Sequence, residues 1–221
     1  DAITAKENAK YRDSTNTETL QAVEPFANSL VLRLKQDLKD GKIIFGGFLT
    51  NKQQVLNTNY LRSSFVSKAN VMGVDFEYAL PDPAWVVSGY TATSTLLGTE
   101  KIVSEIQRNS AHYFQRPDDK IALDTTKTQL DGTSSELSLT KISGKNLKGS
   151  FTYRKISPGY DINELGYIRS ANTKQLKSYI EYEDFVPKKY WQLFSLSFGS
   201  WHDKDYQWKN GSHGFWADFW V

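Results

Sequence analysis

The run Leu30–Thr50 reads LVLRLKQDLKDGKIIFGGFLT, and it alternates apolar with polar side chains in the way that paired β-strands do. Its first half places leucine at every second position, at Leu30, Leu32 and Leu34. Arg33 and Lys35 lie between these leucines, so one side of the strand is apolar and the other is partly polar. The dipeptide Asp40-Gly41 is a strong hairpin signal, and Ile43–Leu49 follows it as the return strand. The stretch therefore predicts an antiparallel hairpin.

The same period of two recurs along the rest of the chain. It predicts further strands at Val71–Leu80, Trp85–Thr93, Ser134–Ile142, Leu147–Ile156, Lys174–Tyr182, Tyr190–Ser200 and Ser212–Val221, which makes nine in all. Short turns and long polar segments alternate between them, so the short turns lie at one end of the strands and the long loops at the other. Residues 26–221 are therefore predicted to supply the strands. Residues 1–25 are polar and predict a loop or irregular segment, with a short helix over residues 5–24 as the less favoured alternative.

Unequal strand ends of this kind are typical of outer-membrane barrels, which have short periplasmic turns and long extracellular loops. Aromatic residues near the strand ends fit the interfacial girdle of such a barrel, at Phe26, Tyr78, Trp85, Tyr190, Trp191 and Trp201. The fold class predicted is an all-β, up-and-down antiparallel transmembrane β-barrel. A single-chain bacterial barrel has an even number of strands. We therefore expect the chain to be part of a larger barrel, unless the count of nine is wrong by one. The alternative is a soluble β-sandwich or jelly roll, in which the aromatic residues would fill the core.

Charged residues on the polar sides of the strands give this prediction a second consequence. They occur at Arg33, Lys35, Asp75, Glu77, Lys148 and Arg154. In a membrane barrel such side chains would line the lumen, because charge on the lipid side is costly. In a soluble sandwich the same side chains would meet water.

The composition favours a β-rich protein over a helical bundle. Hydrophobic residues make up 39% of the 221 residues and aromatic residues 14%, while the mean hydropathy is -0.53. The net charge of +2 comes from interspersed charges, which offers no electrostatic reason to expect nucleic acid as a partner. The absence of cysteine excludes disulfides and thiolate metal sites. No apolar run approaches the ~20 residues of a membrane helix.

Several motifs occur in one order with long spacers between them. They are NVMGVDFEY at Asn70–Tyr78, VSGYTATS at Val87–Ser94, HYFQRPDD at His112–Asp119 and SPGYDINELGYIRSAN at Ser157–Asn172. Together with Leu30–Thr50, they resemble the outer-membrane β-barrel domain of unknown function found in Gram-negative bacteria. In that family the barrel commonly follows an N-terminal domain similar to carbohydrate-binding family 9.

The resemblance implies a location in the bacterial outer membrane, a barrel of more strands than nine and contact with outer-membrane lipid. It also implies a partner, either the N-terminal carbohydrate-binding-like domain or other membrane subunits. It supplies no reaction. The sequence departs from the family pattern, because the carbohydrate-binding-like domain is absent upstream and the barrel stops early. Both departures lead us to expect a fragment.

The residue patterns of common catalytic sites are missing from the sequence. Its three histidines are His112, His202 and His213, and none has the spacing of a zinc motif such as HExxH. His202 and His213 flank a polar loop and could approach each other to form a zinc or proton-transfer site, but solvated loop histidines are the favoured interpretation. No GxSxG nucleophile elbow occurs. We therefore expect no enzymatic activity, no cofactor and no metal site.

The candidates for ligand binding in the loops or the lumen are Arg116, Asp118, Asp161, Asn163 and Trp201. Arg116 and Asp118 could bind a sugar or a cation, although an arginine beside aspartates more often forms local salt bridges. Asp161 and Asn163 have the spacing of a calcium loop, but its twelfth position holds Asn172 instead of an acidic residue. We therefore expect Asp161 and Asn163 to cap backbone amides in Asx turns.

The function expected is that of a porin-like channel, or of a membrane anchor that presents loops or a partner domain for surface glycan handling. The competing class is a soluble extracytoplasmic β-sandwich that binds carbohydrate through exposed aromatics such as Trp201, Trp208 and Trp216. A third class is a hydrolase with its active site in the long loops.

Overall fold

The computed structural model describes residues 1–12, 14–81, 84–117, 121–144, 146–209 and 211–221. Within these ranges the strands are β1 (Ala2–Thr4), β2 (Glu7–Arg12), β3 (Glu18–Glu24), β4 (Phe26–Leu38), β5 (Ile43–Val55), β6 (Lys68–Ala79), β7 (Trp85–Leu97), β8 (Gln129–Lys141), β9 (Leu147–Ile156), β10 (Thr173–Asp184), β11 (Phe194–Asp205) and β12 (His213–Trp220). The helices are α1 (Asn59–Ser64) and α2 (Glu100–Arg108).

The main sheet is an antiparallel meander. Its strand order among the described residues is β1-β4-β5-β6-β7-β8-β9-β10-β11-β12. From β4 onward each strand pairs with its neighbour in sequence, and these strands are the nine that the alternating pattern predicts. The predicted hairpin turn has positive φ at Asp40 (56°) and Gly41 (82°), the backbone conformation that favours Asp-Gly in tight hairpins. The all-β, up-and-down antiparallel prediction is confirmed.

Residues 1–25 differ from the loop predicted for them. They contain β1, which pairs with the beginning of β4 through Ala2 opposite Ser29. They also contain β2 and β3, which form a separate two-stranded hairpin. The short strand β1 gains its regular structure from the ladder that β4 offers, because a strand of three residues is not stable by itself.

The sheet is open rather than closed into a barrel. Strand β12 lies at one edge of the sheet, and β1 and β4 lie at the other. Among the described residues, no ladder joins β12 to β1 or to β4. Beyond Ser29, β4 pairs with β5 on one side, and no described strand pairs with its other side. In the same part of the chain, no helix has the length and apolar content needed to cross a membrane.

The two faces of the sheet have different chemistry. Residues directly opposite each other in a ladder project from the same face of the sheet. Leu32 is opposite Leu49 and Leu49 is opposite Met72, so all three lie on one face. This side, the apolar face, carries among others Leu32, Leu34, Phe45, Met72, Val74, Phe151, Ile180 and Phe198. The opposite side, the polar face, carries all the charged strand residues predicted for it, at Arg33, Lys35, Asp75, Glu77, Lys148 and Arg154.

The short and the long connections between successive strands lie at opposite ends of the sheet. Those after β4, β6, β8 and β10 lie at the short-turn end, and those after β5, β7, β9 and β11 lie at the long-loop end. Two clusters of buried apolar side chains lie at the long-loop end. One consists of Val66, Leu96, Ile102, Val103, Phe114 and Leu130, and the other of Ala92, Tyr160, Ile168 and Ala171. Because Ala92, Leu96 and Leu130 project from the polar face, the core lies between that face and the long loops.

Candidate functional site

The loop of residues 157–172, which connects β9 to β10, folds onto the polar face. Its backbone touches the backbone of β8: a Cβ added at Gly132 would lie 2.0 Å from the amide nitrogen of Tyr160. A Cβ at Gly159 would lie 2.2 Å from the carbonyl oxygen of Asp131. Only glycine allows this contact, so Gly132 on the strand and Gly159 in the loop together fix where the loop lies.

Apolar side chains hold the same loop down. Tyr160, Ile168 and Ala171 are buried and pack with Ala92 of β7. Burial raises the pKa of Tyr160 to about 12, and the charge of Tyr90 contributes in the same direction. The phenol of Tyr160 therefore stays protonated through the ordinary pH range.

Asp161 is the buried polar centre of the loop. Its amide donates to Ser94 Oγ at 3.0 Å, and its carboxylate accepts the amide of Asn163 at 2.8 Å. Asn163 Oδ1 in turn accepts the amide of Ile168 at 2.9 Å. Both side chains thus cap backbone amides, as the sequence predicts, and the contact of Asp161 is an Asx turn. The contact of Asn163 spans five residues and is therefore not an Asx turn. Among the described residues, no group of three or more potential ligands could hold a metal ion.

His112, from the loop between α2 and β8, meets this carboxylate. Its Nε2 lies 2.8 Å from Asp161 Oδ2, and its Nδ1 lies 2.7 Å from the carbonyl oxygen of Pro158. The prediction that His112 is a solvated loop residue is wrong, because its side chain is fully buried. Burial works to raise the pKa of Asp161, but hydrogen bonds from His112 and Asn163 outweigh it and leave that pKa below the ordinary value.

The ring of His112 lies between two hydrogen-bond acceptors, the carboxylate of Asp161 and the carbonyl of Pro158. The buried pair of His112 and Asp161 joins two long loops. Sequence reasoning missed this pair, because the two residues are 49 positions apart. The sequence did offer a signal for the pair, because both residues lie in motifs of the family resemblance. His112 is the first residue of HYFQRPDD, and Asp161 lies in SPGYDINELGYIRSAN.

An ion pair also ties the loop to a distant strand. Lys52 of β5 donates to Glu164 at 2.7 Å, and Gln54 of the same strand reaches the same carboxylate at 3.3 Å. Both Lys52 and Glu164 are about three-quarters buried. The loop is thus fixed to β5, β7 and β8 as well as to the His112 segment.

Several charged side chains of the polar face pair with one another. Arg33 contacts Asp75, Lys148 contacts Glu183 and Arg154 contacts Glu136. The neutral amide of Gln175 donates to Asp203 at 2.7 Å. The face therefore presents a polar surface on which neighbouring basic and acidic side chains form ion pairs.

A groove of about 690 Å³ lies on the polar face. Trp201 and Trp216 line it, together with Glu136, Arg154, Gln175 and Asp203. Trp201 lies over Gly214 and Trp216 lies over Gly199, because a Cβ on either glycine would come within 2.4 Å of the indole opposite. The two indoles therefore cover glycines of the neighbouring strand. The prediction that Trp201 belongs to the aromatic girdle is wrong, since it projects from the polar face.

Arg116 lines a neighbouring cavity of about 560 Å³, together with His112, Tyr113 and Asn172. Asp203 lines both this cavity and the groove of Trp201, so the two are adjacent. Among the predicted candidates, the structure thus brings Asp161 and Asn163 together, while Arg116 and Trp201 line separate cavities. Asp118 lies outside the described residues.

Comparisons with known proteins place the chain in a family. No curated protein and no solved structure matches it. Residues 1–216 match a domain of unknown function, DUF5916, which is almost the whole chain. To that extent the resemblance to a domain of unknown function is confirmed. The chain therefore belongs to the family of the domain of unknown function DUF5916.

Proposed function

We propose that the chain is part of an outer-membrane β-barrel, in which the apolar face contacts lipid and the polar face lines an aqueous lumen. The observation that carries this proposal is that large apolar side chains stay exposed along one face of nine strands. Leu34 is 78% exposed, Val74 58% and Phe198 47%, and all three lie on the apolar face. A soluble protein rarely leaves so large a contiguous apolar surface in water.

The charges of the apolar face lie only near the strand ends, in the part of the chain that the structure describes. At the long-loop end they are Lys68, Asp131, Lys155, Lys174 and Lys204, and at the short-turn end they are Lys141 and Asp184. A band without charge separates the two groups. Such a band is the feature that a lipid-facing surface requires, since a charge at the bilayer midplane costs about 2–4 kcal/mol.

The strand lengths fit the thickness of that band. Strands β4 to β11 hold 10 to 13 residues each. At about 3.3 Å per residue and a tilt of about 45°, they reach about 23–30 Å across a bilayer. The apolar band of an outer-membrane barrel is about 25 Å tall.

Aromatic residues border the apolar face at the short-turn end. They are Tyr78, Trp85, Tyr182, Phe194 and Phe219. Phe194 contacts the rings of Tyr182 and Phe219 at centroid distances of 6.1 and 5.6 Å. Lys141 places its ammonium 5.9 Å from the ring centroid of Trp85. Aromatic and basic side chains of this kind are typical of the membrane–water interface.

The role that this arrangement supports best is that of a porin-like channel narrowed by loop 157–172. The loop occupies the polar face at the long-loop end, where it would reduce the cross-section of a lumen. The open sheet then requires further strands to complete the barrel, as expected for a larger assembly. A membrane anchor for a glycan-handling partner is the second role, supported by the flat indoles of Trp201 and Trp216 in a polar groove. We propose no catalytic reaction for either role.

Extraction of the native protein from membranes, with and without detergent, tests this proposal when it is followed by gel migration before and after boiling. A membrane barrel requires detergent and migrates faster before boiling. Conductance in planar bilayers then separates a channel from an anchor. A monomer that is soluble in plain buffer and migrates identically before and after boiling would refute the membrane proposal. It would favour a soluble carbohydrate-binding protein.

A further inference from the structure

Three lysines form a row across neighbouring strands of the apolar face. Lys174 of β10 lies directly opposite Lys155 of β9 on one side and directly opposite Lys204 of β11 on the other. Directly opposed residues on adjacent antiparallel strands have Cβ atoms about 4.5–5.5 Å apart. We call these three residues the lysine row. It brings three like charges close together, an arrangement that destabilises a sheet unless a counterion is present.

No carboxylate of the described residues forms an ion pair with any member of the lysine row. Aromatic rings hold two of the ammonium groups instead. Lys155 and Lys174 lie 4.7 and 4.9 Å from the ring centroid of Tyr206, and Lys174 lies 4.7 Å from that of Trp208. These contacts position the ammonium groups and leave their positive charge without an opposite charge.

The lysine row has a defined place relative to the uncharged band. It lies at the long-loop end of the apolar face. The next residues toward the middle of the strands on that face are Tyr153, Leu176 and His202. A lipid whose acyl chains cover the apolar band would place its headgroup at this level. Lysine is a strong ligand of phosphate as a point charge, and each lysine near an anionic surface contributes to binding additively.

We propose that the lysine row binds the phosphate groups of an anionic outer-leaflet glycolipid, whose acyl chains lie against the apolar face below it. The inference rests on the proposed membrane function, since it requires lipid on this face. Phosphate supplies the negative charge that the row lacks. The aromatic contacts of Tyr206 and Trp208 hold two ammonium groups ready at the strand ends.

Titration of the detergent-solubilised protein with a glycolipid that carries two phosphate monoesters tests the proposal. The triple variant K155Q/K174Q/K204Q should bind this glycolipid about a hundredfold more weakly, and K174Q alone about fivefold more weakly. K177Q is the matched control, because Lys177 lies on the same strand but on the polar face. K177Q should bind like the wild type.

Two further measurements distinguish a lipid phosphate from a free phosphate. They also distinguish failure of the lysine-row proposal from failure of the membrane proposal. Inorganic phosphate at the same concentration should not displace the glycolipid. Displacement would overturn the lipid assignment in favour of a free-anion site. If the triple variant binds the glycolipid with wild-type affinity, the proposal that the lysine row binds its phosphates is wrong, while the membrane proposal is unaffected. The triple variant should keep its heat-dependent gel migration, and a wild-type protein that needs no detergent would refute the membrane proposal itself.

Discussion

Both ring nitrogens of His112 lie at hydrogen-bond distance from an acceptor: Nε2 is 2.8 Å from Asp161 Oδ2, and Nδ1 is 2.7 Å from the carbonyl oxygen of Pro158. The pair joins the loop between α2 and β8 to loop 157–172, and both side chains are buried. The pKa of Asp161 is lowered, so its carboxylate is ionised in the folded protein. Removal of His112 leaves this buried charge without one of its hydrogen-bond partners, which is costly.

Replacement of one partner should therefore release the loop. We expect H112A and D161A each to destabilise the docked loop by about 3–5 kcal/mol, and the double variant to cost much less than the sum of the two. Amide hydrogen exchange of residues 157–172 measures this local opening. H202A is the control, since His202 is exposed and lies on the apolar face. Additive effects in the double variant would contradict the coupling between His112 and Asp161.

The loop should also respond to acid. Because the pKa of Asp161 is lowered in the folded protein, its stabilising contribution is complete above the unfolded value of about 3.9. The contribution is lost as the pH falls through the lower folded value. Cleavage of the loop by pepsin should therefore increase steeply below about pH 4. The D161N variant should lack this steep component, and an identical pH profile for D161N would contradict the assignment.

The phenol of Tyr160 should ionise only at high pH. Burial raises the pKa of Tyr160 to about 12, so the folded protein loses stability as the pH rises from the unfolded value of about 10 toward 12. Near-ultraviolet titration of phenolate formation should show a late component that disappears in Y160F. Y167F is the matched control in the same loop, because Tyr167 is exposed. Loss of the late component in Y167F but not in Y160F would contradict the prediction.

Two adjacent residues of β4 lie on opposite faces of the sheet. Val31 lies on the polar face and Leu32 on the apolar face, and they are 60% and 50% exposed. In a membrane barrel, L32R should destabilise the protein by about 2–4 kcal/mol, while V31R faces the lumen and costs little. Unfolding in urea from lipid vesicles measures the difference. Equal effects of the two substitutions would indicate that both faces meet water.

Close contact at Gly132 should control access to the polar face. G132A places a methyl group within 2.0 Å of the Tyr160 amide, so the loop must move away. We expect the loop to open at least tenfold more often, with a larger conductance if the protein is a channel. G47A is the control, because its nearest contact is the carbonyl oxygen of Gly73 at an ordinary 3.7 Å. Unchanged loop exchange in G132A would show that the backbone of β8 does not fix the loop.

The nine long strands could be predicted because their signal is local. In Leu30–Thr50, alternation and the Asp40-Gly41 turn specify both strands and their connection without reference to the rest of the chain. The sequence also indicated the face from which Trp201 projects. Trp201 is an even number of residues from Ser197 and Gly199, so it lies on their side of the strand and not on that of Phe198. Trp201 was predicted for the aromatic girdle because it lies near the end of a predicted strand.

Other features depend on residues far apart in sequence and could not be predicted in this way. Strand β1 exists because the edge of β4 offers it hydrogen bonds, and its own three residues carry no pattern. His112 is buried because Asp161 and Pro158 come to it through the meeting of two loops. Asp161 and Asn163 were predictable as residues that cap backbone amides, because those contacts span only two and five positions.

The anchors of loop 157–172 also set an order of events during biogenesis. They come from separate parts of the chain, at Lys52 on β5, Ser94 on β7, His112 after α2 and Gly132 on β8. Until those strands lie side by side, the loop has no complete set of partners. Its docking is therefore a late step of assembly. The time at which this loop becomes resistant to protease would therefore mark the completion of the sheet during folding.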